Sequence, residues 1–164
     1  MSKTISLIGI LLFSVILFIS CSENREDAIM EEDAPNVDVK ILQGWQGDFP
    51  VNQLNILPTG QHEQGVGYIT DAETFAGIWL QFKPGKDIPS IDFNTKLVLF
   101  ARNIQYYNRI SIGRVTLTNG VAEVLAMETM SAMPIGEKVA LSLAEVARQG
   151  ITAINIGDKE IMID

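Results

Sequence analysis

The segment RISIGRVTLTNGVAEVLAME, residues 109–128, decides how the rest of the chain is read. Two alternating apolar runs flank Asn119-Gly120. Asn-Gly readily supplies the two positive φ angles of a two-residue turn, so the segment predicts a β-hairpin. The alternation slips within the first arm: Ile110 and Ile112 are in one phase, Val115 and Leu117 in the other. One extra residue at Gly113-Arg114 would return both pairs to a single face, and a β-bulge is expected there. In the second arm, Val121, Glu123, Leu125 and Met127 fall on one face. Ala122, Val124, Ala126, Glu128 and Met130 fall on the other, because strand side chains alternate.

Outward from the hairpin, KLVLFA (96–101) is apolar throughout from Leu97 to Ala101, the pattern of a central strand covered on both faces. VDVKIL, ITAINI and EIMI add further short β-like runs. Two helices are expected, over about 71–82 and about 143–149. In TDAETFAGIWLQFKPG, Thr70 and Glu73 have the spacing of a capping box. Ala72, Phe75, Ala76, Trp79 and Phe82 make one apolar stripe, and Pro84-Gly85 ends it. In SLAEVARQG, Ser142 and Glu145 form the second capping box and Gly150 the stop. So short a helix needs a sheet beneath it. The fold class is therefore α+β, a mainly antiparallel β-sheet with two short helices.

The chain opens with MSKTISLIGILLFSVILFISCSEN, in which Lys3 precedes an apolar run from Ile5 to Ile19. That is the layout of a secretory signal, here residues 1–20. The closing FISC resembles the bacterial lipoprotein signal, with Phe18 standing where leucine is commoner. The resemblance implies that Cys21 is acylated and becomes the first residue of the mature chain. A membrane-anchored lipoprotein of the bacterial cell envelope is the implied localisation, and Ser22 is compatible with sorting to the outer membrane. Cys21 is the only cysteine, so an internal disulfide and a thiol nucleophile are both excluded. Residues 21–38 then read as an acidic flexible tether, with seven carboxylates against Arg25 alone. Residues 39–164 form the expected single globular domain. That part carries thirteen acidic and ten basic residues, so most of the total charge of −8 belongs to the tether. Nothing basic enough for nucleic acid remains.

Chemistry-bearing motifs are sparse. Met127, Met130 and Met133 sit three apart among six methionines. Thioethers are soft donors suited to Cu(I), but three-residue spacing aligns them only on a helix, and this segment reads as strand. Packing in core and at the sheet edge is the expected role of these methionines. His62, the only histidine, lies in a Gly-rich loop and reads as a solvated side chain. The spacings of zinc ligands, P-loops and dinucleotide loops are absent, and neither metal nor cofactor is expected. A pair of carboxylates brought together in space is the one catalytic arrangement that leaves no spacing to read. FARNIQYYNRISIGR instead gathers Arg102, Tyr106, Tyr107 and Arg109, residue types enriched at interaction surfaces. Trp45, between glycines in QGWQGDF, is a further candidate anchor.

The order TFAGIWLQF, a Pro-rich loop, IPSIDFNTKLVLFA and a tight hairpin is similar to the protease-complex-subunit PrcB type of domain, over roughly residues 69 to 130. That family's Gly-Gly-Tyr-like element is replaced here by NIQYYN, where Tyr106 or Tyr107 supplies the tyrosine and the glycines are absent. The resemblance implies a non-catalytic partner that binds or stabilises an envelope protein complex. The functional expectation is thus a lipid-anchored binding module, not an enzyme, with the membrane and an envelope protein as partners. A copper-binding lipoprotein and a carboxylate-dependent hydrolase are the alternatives.

Overall fold

A computed structural model of the chain describes residues 35–58 and 65–163. The signal, Cys21, most of the tether and His62 lie outside the described residues. Ala34–Asp164 forms one compact unit. Its elements run β1 (Val37–Asp38), β2 (Ile41–Pro50), a 3₁₀ helix (Val51–Ile56), β3 (Val66–Ile69), α1 (Ala72–Phe82) and β4 (Lys96–Arg102). After these come β5 (Ile110–Thr118), β6 (Val121–Glu128), β7 (Lys138–Ala147), β8 (Ala153–Ile156) and β9 (Lys159–Met162). The run VDVKIL is thus split between β1 and β2, and Val37–Asp38 of the expected tether belong to a strand paired with β5.

The strands form two sheets, β1-β5-β6-β8-β9 and β2-β7-β4-β3, with antiparallel neighbours except for β6 and β8. β4 shows how they are layered. Val98 and Phe100 join Phe49, Leu141 and Leu143 against Phe75, Ile78, Trp79 and Phe82 of α1. Leu97 and Leu99 point the other way, onto Val115, Ala122, Ile154 and Ile156 of the five-stranded sheet. The central strand is therefore covered on both faces, by a helix and by a second sheet. Each such buried side chain contributes about 1.5–3 kcal/mol relative to exposure. The fold is α+β and mainly antiparallel, as expected.

The hairpin forms β5 and β6, with positive φ at Asn119 (52°) and Gly120 (85°). Its register shifts between Ile112 and Arg114, which is the expected bulge. Met127 crosses over Gly113 there: a Cβ at that position would lie 2.7 Å from its Cε. α1 begins one residue later than the capping-box reading, with Asp71 as the cap; its carboxylate accepts from the Thr74 amide at 2.8 Å. The turn into β4 is built by Asp92, whose carboxylate accepts from the Asn94 amide and from the Thr95 hydroxyl. Those bonds hold its pKa below the usual value, the Thr95 hydroxyl being the largest cause.

The second expected helix is a strand. KVALSLAEVA forms β7, between β2 and β4, and every residue from Val139 to Val146 is buried. A strand buried on both faces loses the polar alternation that marks a half-exposed one, and its Ala, Leu and Glu content then reads as helical. The residues assigned to a capping box serve elsewhere. Ser142 Oγ accepts the Ile112 amide beside the bulge at 3.1 Å, tying the two sheets together. Glu145 pairs with Lys96 Nζ at 2.5 Å on the adjacent strand. Gly150 does take a positive φ, 82°, but in the turn that follows β7.

Candidate functional site

β4 ends at Arg102, and the chain reaches β5 through residues 103–109. Asn103 is fully buried and anchors this connection. Its Oδ1 accepts the amides of Asn108 and Ala140, each at 3.1 Å, while Asn108 Nδ2 donates to Glu128 Oε2. With both ends held, the residues between are forced outward. A second connection, 129–137, joins β6 to β7 and is bonded to the first. Tyr107 N donates to Met133 O at 2.8 Å, Thr129 N donates to Arg109 O at 2.9 Å, and Tyr106 bridges Pro134. Thr129 Oγ1 also accepts the Arg109 amide.

The paired loops expose an apolar set: Ile104 at 62%, Tyr106 at 40%, Met130 at 102% and Met133 at 63%. Beside them lies an open cleft of about 330 Å³ lined by Gly47, Asp48, Tyr107, Arg109 and Ala140. Tyr107 OH donates to Asp48 Oδ1 at 2.5 Å, and Lys138 Nζ lies 3.7 Å from Asp48 Oδ2. The Tyr107 pKa is raised above 10.0, first because its proton is held by Asp48, then by burial and by the charge of Asp48; Arg109 pulls it down. On the α1 side of β2, Lys83 Nζ donates to Gln46 O and stands 4.6 Å over the Phe82 ring. Gly47 makes room for this, since a Cβ there would meet Lys83 Nζ at 2.7 Å. Asp48 thus accepts from Tyr107 and pairs with Lys138, and Arg109 lines the same cleft.

Of the residues singled out from the sequence, Tyr106, Tyr107 and Arg109 meet on this surface. Trp45 does not: it is half-buried against α1, with ring centroids 5.4 Å from Trp79 and 6.1 Å from Phe75. Arg102 is also withdrawn from the surface, at 7% exposure, with Nη1 donating to Asn103 O at 2.8 Å and burial lowering its pKa. The methionines are corrected the other way. All three are exposed rather than packed in core, and Met130 lies past the end of β6, where strand alternation no longer orients it. Asp48 and Lys138 were missed, because they reach Tyr107 only through the pairing of β2 with β7. Among the described residues no group of three or more His, Cys, Asp or Glu side chains could hold a metal ion. The chain matches no protein-family model, no characterised protein and no solved structure.

Proposed function

We propose that this protein is a bacterial envelope lipoprotein, acylated on Cys21, whose folded domain is a non-catalytic protein-binding module. The face formed by residues 103–109 and 129–137 is its binding surface. One observation carries the reading: Ile104, Tyr106, Met130 and Met133 are exposed on two loops that hydrogen-bond to each other beside a charged cleft. Exposed apolar groups in a polar frame mark interaction sites, and Tyr, Arg and Met are enriched in them. The loops are held by Asn103 and by backbone bonds, so little ordering entropy is lost on binding. The resemblance to the PrcB type of domain supports a complex-stabilising role of the same kind.

Site-specific photo-crosslinking in intact cells tests this. A crosslinker at Tyr106 is expected to capture one discrete envelope protein, and one at Gln81 on the far helix is not. Adding Met133→Asp should abolish the adduct. Equal or absent capture at both positions would sink the binding reading. Loss of fatty-acid labelling in Cys21→Ser tests the anchor separately.

A further inference from the structure

The two sheets leave several backbone edges, and nearly all of them are blunted. β1 is two residues long, and β3 is four residues long and contains Gly67. β9 opens with Lys159-Glu160. β2 has a register shift between Ile41 and Gln43, contains Gly44 and Gly47, and ends in Pro50. Short strands, irregularities, charge and proline are the devices that stop edges from pairing with other chains.

β6 lacks them. β8 lies beside it only along Val121–Glu123, after which the chain turns at Gly157 into β9. From Val124 to Glu128, β6 is paired on its β5 side alone among the described residues. The open stretch is VLAME, without proline, glycine or lysine. Leu125 is 42% and Met127 63% exposed on the outward face. Ala126 and Glu128 are exposed as well, although the register turns them inward.

We propose that a second copy of this chain adds its own β6 to this edge, antiparallel, with Ala126 opposite Ala126. The length of the opening selects that register. The free residues are 124–128 and Ala126 is their midpoint, so only this symmetric alignment pairs all five, and β8 stops it at both ends. A symmetric pair that keeps like faces together joins residues of the same parity. Glu123 and Glu128 therefore never stand opposite each other. Glu128 meets Val124, Glu123 stays beside β8, and two Leu125–Met127 pairs form on the outer face. Such apolar cross-strand pairs are the stabilising unit of a sheet. A foreign segment would need basic groups at both ends to match the flanking glutamates; the copy needs none. Five paired residues bury far less than the roughly 1,200 Å² of a standard stable interface, so the association is weak and depends on concentration. This contact is independent of the loop surface proposed above.

Disulfide trapping in the full chain tests the register. Opposed Cα atoms in an antiparallel pair are about 4.5–5.5 Å apart, inside the range of about 4.4–6.8 Å that a disulfide spans. Under a mild thiol oxidant, Ala126→Cys should give several-fold more disulfide-linked homodimer than Gln81→Cys or the unmodified chain, which sets the background. Leu125→Cys alone should stay near background. Mixing Leu125→Cys copies with Met127→Cys copies should restore the crosslink, and this pair checks the register without altering Ala126. The proposal is overturned if Ala126→Cys matches Gln81→Cys, if Leu125→Cys alone crosslinks equally well, or if Ala126→Cys is captured by a different protein.

Discussion

β6 and β7 are written in almost the same letters, VAEVLAME and KVALSLAEVA, yet they occupy opposite extremes of the fold. β7 lies between two strands, with α1 over one face and the second sheet under the other, and it is buried from Val139 to Val146. β6 has β8 beside it for three residues only, and it is exposed from Leu125 onward. Even the glutamates differ: Glu145 is 5% exposed and paired with Lys96, whereas Glu123 is exposed on the outer face. Composition sets neither outcome. Neighbours decide whether a strand of Ala, Val, Leu and Glu becomes core or open edge.

Truncation should separate the two most sharply. Leu143→Ala, in a fully buried position, is expected to cost about 2–5 kcal/mol in chemical denaturation, the range for large-to-small core changes. Leu125→Ala should stay within about 0.5 kcal/mol, as an exposed substitution does. Equal losses would mean that β6 is as enclosed as β7. Next in size is the tie between the sheets. Ser142→Ala leaves the Ile112 amide without its acceptor and should cost about 1–3 kcal/mol, with faster hydrogen exchange at Ile112.

A smaller effect is expected at the bulge. Gly113→Ala pushes a Cβ onto the end of the exposed Met127 side chain, which can swing away, so the cost should be under about 1 kcal/mol. Met127→Ala in the same chain should remove the clash component of that loss, a coupling that a double-mutant cycle measures. The last test is a titration. Tyr107 holds its proton more tightly in the folded state, so its contribution to stability is complete below pH 10 and is lost as pH rises through its higher folded value. Asp48→Asn should bring the Tyr107 pKa down toward 10.0, read from phenolate absorbance. An unchanged titration would mean that the Asp48 bond does not hold the proton.

The hairpin, its bulge, the central strand and α1 were legible because each is written locally. Asn119-Gly120 demands its turn, the phase slip at Gly113 has few other solutions, and Leu97–Ala101 is too apolar to sit at an edge. β7 was misread because burial on both faces erased its alternation, and Ser142 and Glu145 then matched a helix cap by spacing alone. Tyr107 and Arg109 could be picked out by residue type, but their partners could not. Asp48 lies fifty-nine positions from Tyr107, and only the alignment of β2 on β7 brings it near.

Local chemistry of turns and alternation was enough to establish the strands around Asn119-Gly120, the helix after Asp71 and the mainly antiparallel α+β class. Tertiary pairing decided the rest: two sheets in place of one, β7 at the centre, Trp45 and Arg102 withdrawn from the surface, and an edge on β6 left open among the described residues. Those outcomes depend on which strand lies beside which, and such neighbours are set by burial summed over the whole chain rather than by any short stretch of it.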